Sequence, residues 1–88
     1  MARDIRVHED AVKFLSGLNK RVRDNIIKQL RKLSDDKERK KMDIKKLKGT
    51  YSRDDLYRLK VSKHRVVFSV ERKTIYITEI FHRERGYR

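Results

Sequence analysis

Between Asp55 and Val70 the stretch DLYRLKVSKHRVVFSV leaves the backbone few options other than an antiparallel hairpin. Tyr57, Leu59 and Val61 alternate with Arg58 and Lys60. Val66, Phe68 and Val70 then alternate with Arg65, Val67 and Ser69. A period of two gives each run an apolar face and, behind it, a cationic one. A two-residue turn at Ser62 and Lys63 sets Val61 opposite His64, Lys60 opposite Arg65, Leu59 opposite Val66 and Tyr57 opposite Phe68. Like charges directly opposite each other cost stability, so this register predicts an anion between Lys60 and Arg65, a phosphate above all. The alternative is a register one step away with both side chains splayed into water, because Ser-Lys is a weak turn signal.

The rest of the chain supplies partners for this hairpin. Ile5 and Val7 predict a first strand over Asp4 to His8, with Glu9 and Asp10 capping the helix that follows. Ala11, Val12, Phe14, Leu15 and Leu18 fall at helical spacing, and Gly17 with Asn19 mark a break. In a second helix Val22, Ile26, Leu30 and Leu33, joined by Ile27, form one apolar stripe, with Arg21, Arg23, Lys28, Arg31 and Lys32 on the other faces. From Lys37 to Lys48 seven Lys or Arg accompany only Ile44 and Leu47, which reads as a basic linker, either solvated or in contact with phosphate. A last strand over Thr74 to Phe81 has Ile75, Ile77 and Phe81 on one side and Tyr76 and Ile80 on the other, the pattern of a strand covered on both faces. The expected architecture is a single α+β domain over residues 1–88. An N-terminal strand and an antiparallel helical hairpin pack on a mostly antiparallel sheet that ends in a three-strand meander.

The charge of this small domain narrows its partners. With 26 Lys and Arg against 13 Asp and Glu, the 88-residue chain carries +13, more than solubility requires and suited to a polyanion. Nucleic acid fits better than a membrane, since the basic amphipathic segments have the apolar stripes of core-facing helices. The absence of cysteine excludes disulfides, thiolate metal sites and a Cys nucleophile. The start, MARDIRVHEDAV, has acidic residues and no apolar run, which predicts a cytoplasmic protein without a signal peptide.

No Gly-rich phosphate loop, Ser/His/Asp order or paired carboxylates stand in the sequence. His8, His64 and His82 lack metal-ligand spacing; His8 reads as a strand-to-helix junction residue and His64 as a turn residue. His82 opens the ending HRERGYR, where Arg83, Arg85 and Tyr87 follow the last strand. A cluster of Lys, Arg and Tyr without a metal can still cleave RNA, because the 2′-OH is an internal nucleophile that needs positioning, deprotonation and charge stabilisation. Crowding by arginines favours a neutral amine, which makes Lys60 a candidate general base. Arg65 and Arg83 are candidates for holding the phosphate oxygens, and Tyr87 for orienting the 2′-OH or stacking on a base. Lys45, Lys46 and Lys48 of the basic linker, with His82 and Arg85, are further candidates for nucleic-acid contact.

Taken together, IRVHEDAVKFLSGL, the KLKG of Lys46 to Gly49, YRLKV at Tyr57 to Val61, HRVVFSV at His64 to Val70 and the terminal HRERGYR resemble the RelE branch of the RelE/ParE toxin superfamily, the toxin halves of toxin–antitoxin pairs. The resemblance implies a compact sheet with a helical hairpin, no metal or other cofactor, and endonucleolytic cleavage of mRNA in the ribosomal A site. By position, Arg58 and Lys60 match the family's two basic strand residues, Arg65 its first arginine, Arg83 its second and Tyr87 its terminal tyrosine. Position 58 holds Arg where ribosome-dependent members have Lys, which shifts the base role toward Lys60 or Tyr87. The resemblance also implies a cognate acidic antitoxin that wraps the toxin. Two alternatives stand beside it: a ParE-like toxin that inhibits DNA gyrase, and a non-catalytic RNA- or ribosome-binding protein.

Overall fold

A computed structural model describes residues 3–47 and 55–85, the side chain of Arg85 excepted. The chain runs β1 (Asp4–Val7), α1 (Glu9–Ser16), α2 (Lys20–Leu33), α3 (Asp36–Arg39), β2 (Ile44–Lys46), β3 (Leu56–Val61), β4 (His64–Val70), β5 (Thr74–His82) and one 3-10 turn at Arg83–Arg85. The strands form one sheet in the order β1-β5-β4-β3-β2. Only β1 and β5 are parallel, with Ile5 beside Ile75 and Val7 beside Ile77. Among the described residues no helix is long and apolar enough to cross a membrane.

Both helices of the hairpin begin on a side-chain cap. Asn19 accepts a hydrogen bond from the Val22 N–H at 3.0 Å. At α1 the cap is His8, whose Nδ1 accepts from the Asp10 N–H at 3.1 Å, rather than Glu9 or Asp10. The reason lies in the strand before it: His8 N–H donates to Ile77 O, which holds His8 in the extended conformation a cap requires. Glu9 instead pairs with Lys13 one turn on. Ala11 and Leu15 of α1 and Ile26, Leu30 and Leu33 of α2 press onto Leu59, Val61, Val66, Phe68, Ile75, Ile77 and Ile80 of the sheet. Val12 departs from the expected stripe and stands 50% exposed.

The hairpin register is the one that opposes like charges: Lys60 pairs with Arg65, Leu59 with Val66, Tyr57 with Phe68 and Val61 with His64. Ser62 absorbs the turn at φ 53, a left-handed conformation unusual for serine. Two other expectations are corrected. The basic linker contains α3 and a strand: β2 pairs with β3, Ile44 beside Leu59 and Lys45 beside Arg58, because Ile44 and Met42 pack against the core edge. In β5 the simple alternation fails at Thr78. Val67 faces Glu79 but Phe68 faces Ile77, so Thr78 is an extra residue in a β-bulge and its hydroxyl donates to Val67 O at 3.2 Å. The bulge moves Ile80 to the helix-covered face with Ile75 and Ile77, and turns Phe81 to the other face.

Arg3 ties the start of the chain to two distant segments. Its N–H donates to Ser34 O at 2.8 Å, and its guanidinium donates to Asp36 at 3.1 Å and to the carbonyls of Glu71 and Arg72 in the β4–β5 turn. Arg39 completes the clasp, donating to Asp36 at 2.7 Å and to Leu33 O at 2.9 Å.

Candidate nucleic-acid interface

The helices cover one face of the sheet, and the cations gather on the other. Pairing places Lys45, Arg58, Val67 and Glu79 in one row across β2, β3, β4 and β5. Lys60, Arg65 and Phe81 form the next row. Two like-charge pairs, Lys45 with Arg58 and Lys60 with Arg65, therefore sit side by side, each opposing folding by roughly 0.2–1 kcal/mol. Sequence patterning exposed the second pair; the first became visible only with β2. Val67 and Phe81 are 6% and 4% exposed and give this face an apolar floor. Such a floor strengthens the attraction of the cations for an anion.

Each cation is held differently. Arg65 folds back over the turn, donating through Nη1 to Ser62 O at 3.1 Å and to His64 O at 3.0 Å. Arg58 has an 18% exposed side chain with the Asp43 carboxylate 3.9 Å from Nη2, and among the described residues its buried Nε has no hydrogen-bond partner. That buried donor costs stability, and the part of the side chain left exposed is what a phosphate oxygen can reach. Lys60 is exposed, and its backbone N–H donates to Asp43 O at 3.0 Å. Arg83 is brought beside the β3–β4 turn because its N–H donates to Lys63 O at 2.7 Å. The arrangement thus collects Lys45, Arg58, Lys60 and Arg65 on one face, with Arg83 at its end.

Other sequence candidates lie elsewhere. Lys46 pairs with Tyr57 across the strands and so points to the opposite side, where it meets Asp55 at 3.2 Å. His82 is opposite His64 in the ladder, also on the helix-covered side, with the ring centroids 5.2 Å apart. His64 is a buried strand residue rather than a turn residue. Burial, then the neighbouring His82 and Arg65, lower its proton affinity below that of an ordinary imidazole. Lys48, Tyr87 and the side chain of Arg85 lie outside the described residues. Pattern reasoning missed two acids, Asp43 beside Arg58 and Glu79 on the same face. The signal for Asp43 was its position immediately before β2.

Residues 4–87 match the family described as ParE toxin of type II toxin-antitoxin system, parDE. No curated protein sequence matches the chain. Among solved structures, the chain is similar to the archaeal RelE-RelB complex from Pyrococcus horikoshii, with 31% identity, TM-score 0.78, and coverage of 98% of this chain and 100% of that one. It is similar to the RelB-RelE antitoxin-toxin complex from Methanococcus jannaschii at 25% identity, TM-score 0.69, and 90% and 91% coverage. The intact RelBE toxin-antitoxin complex of E. coli shares the fold, with 20% identity, TM-score 0.70, and 92% and 96% coverage. The near-complete family match and the full-length archaeal likeness agree with the two-layer fold, and the chain belongs to the RelE/ParE superfamily of type II toxins, in its RelE branch.

Proposed function

We propose that this toxin is a metal-independent endoribonuclease that cleaves mRNA in the ribosomal A site and so stops translation in the cytoplasm. The observation that carries the reading is the sheet face opposite the helices, where Arg58, Lys60 and Arg65 converge and Arg83 adjoins the turn. In the reaction the 2′-oxygen bonds to the adjacent phosphorus, the bond from phosphorus to the 5′-oxygen breaks, and the leaving oxygen takes up a proton. Arg65 and Arg83 stabilise charge on the phosphate oxygens. Arg58, through the exposed part of its guanidinium side chain, holds the backbone phosphate, and Lys60 accepts or guides the 2′-proton. Tyr87 orients the 2′-OH or stacks on a base, and Lys45 extends the phosphate track. With no strong acid or base of its own, the toxin relies on the ribosome to bring the message into line.

The same reading assigns a cognate acidic antitoxin as partner. The RelE chains of the P. horikoshii and M. jannaschii structures stand in complex with RelB. Here, Met42, Ile44, Tyr57 and Val70 form a half-buried apolar strip rimmed by Arg39 and Lys40, a surface that suits an acidic amphipathic segment.

A reconstituted translation reaction with a defined message, its new ends mapped by primer extension, tests the proposal. Ribosome-dependent cuts are expected, and Arg83→Ala should slow them by about 100-fold or more, as for loss of one transition-state donor. The family description also favours a second reading, inhibition of DNA gyrase. Loss of supercoiling activity with no RNA cut in any condition would establish that reading in place of the first.

A further inference from the structure

Arg83 has no strand to hold it: β5 ends at His82, and Arg83 opens a single 3-10 turn. Among the described residues two hydrogen bonds fix the backbone there. Arg83 N–H donates to Lys63 O at 2.7 Å, and the next amide, Glu84 N–H, donates to His82 Nδ1 at 3.2 Å. An accepting Nδ1 carries no proton, so the neutral ring must bear its hydrogen on Nε2. The pose of that ring is set from behind. His64, 9% exposed, meets His82 edge to face at an interplanar angle of 85°. Phe14 of α1 meets His64 in turn at 5.9 Å and 68°. Phe14, His64 and His82 therefore form a continuous run of rings from the first helix to the turn that carries Arg83.

The charges around this run are almost all positive. Arg65 adjoins His64 on β4, Lys63 precedes it in the turn, and Arg21 of α2 lines the same groove as His64. Phe14 brings no charge from α1. Among the described residues the carboxylate paired with His82 is Glu84, 4.0 Å from Nδ1. Burial, then His82 and Arg65, lower the proton affinity of His64.

We infer that His64 is a positioning residue for Arg83, holding the His82 ring in the pose and tautomer that cap the Glu84 N–H. The importance of Arg83 rests on the endonuclease reading; the cap itself does not. A proton on His82 Nδ1 converts the acceptor to a donor and redirects it to the Glu84 carboxylate, so the turn loses one of its two backbone anchors. Loss of the His64 ring has the same effect, because His82 is then free to rotate.

Nitrogen-15 spectra of histidine-labelled free toxin read the cap directly. At neutral pH, wild type and His64→Phe should show an unprotonated His82 Nδ1 and a common Glu84 amide shift, whereas His64→Ala should show a tautomer mixture and a displaced Glu84 amide. On the ribosome, His64→Ala should lower the single-turnover cleavage rate by about 10- to 100-fold with binding unchanged, the scale of a small misplacement of a reacting group; His64→Phe should restore it. An unchanged Nδ1 and Glu84 amide in His64→Ala would overturn the inference, as would equal losses in both variants. If the alanine variant does not fold, wild type decides. A Glu84 amide that stays constant while the His82 ring, followed by its own nitrogen-15 shifts, takes up a proton refutes the cap. A wild-type protein that cuts no RNA would remove the endonuclease reading and leave the spectra to settle the cap.

Discussion

Arg58 carries two penalties at once. Its Nε is a buried donor without an acceptor, worth about 1–3 kcal/mol against folding, and Lys45 stands opposite it. Asp43 offsets this weakly, at 3.9 Å and half in water. Arg58→Met keeps the aliphatic stem that covers the sheet and removes both penalties. It is expected to stabilise the free toxin by about 1 kcal/mol, seen as a higher urea midpoint, while cleavage falls. A midpoint below that of wild type would mean that the Asp43 contact outweighs the penalties. At this scale the sequence was informative wherever the period-two pattern ran unbroken, as at Lys60 and Arg65. It set His64 opposite Val61 but read it as a turn residue, and gave no sign that its ring is buried against Phe14.

The elements are joined at points that local pattern does not mark. Asp36 binds Arg3 and Arg39 and thereby couples β1, α3 and the β4–β5 turn. Hydrogen bonds from Arg3 and then Arg39 hold its carboxyl below the ordinary carboxylate range. The folded state therefore binds fewer protons than the unfolded chain in that range, so the stability from Asp36 is present above about pH 4 and is lost as pH falls through and below it. Asp36→Asn should flatten this part of the urea midpoint profile between about pH 5 and pH 3. A second expectation concerns the bulge. Thr78 is the extra residue in β5, so its deletion restores a regular ladder with Ile77, Ile80 and Phe81 on their present faces. Deletion of Tyr76 instead throws Ile75 out of register with its neighbours. Thermal melts followed by circular dichroism should remain cooperative for the first deletion and lose cooperativity for the second. The strands β3, β4 and β5 were legible because each has five or more residues of alternating or continuous apolar character. β2 was not, because three residues hold one apolar side chain and become a strand only by pairing with β3. The bulge was not legible either, since an inserted residue looks like two short alternations of opposite phase.

Over the whole molecule, a charge of +13 makes long-range attraction to polyanions dominant, and ionic strength its main control. Binding of the toxin to single-stranded RNA should weaken linearly in log Kd against log salt. Lys60→Ala should reduce that slope by about 0.7, one phosphate contact on a single strand, whereas Lys46→Ala, on the far side beside Asp55, should leave it unchanged. Fluorescence anisotropy over a salt series measures both. Fold class and the side of the sheet that carries the charge followed from composition and period. The separation of Lys46 from that side did not, because β2, the strand that decides it, is absent from the pattern; His82 shares the phase of Ile80, which the alternation sets toward the core.

The parallel pairing of β1 with β5 has a consequence for the order of assembly. Asp4 aligns with Thr74 and Val7 with Ile77, so β1 waits for a strand made 70 residues later. Contacts of such sequence separation form late in folding. Until β5 is in place, β1 has no partner strand and Arg83 has no ladder to bring it to the β3–β4 turn. The last cation of the face is therefore set in position only when the sheet closes.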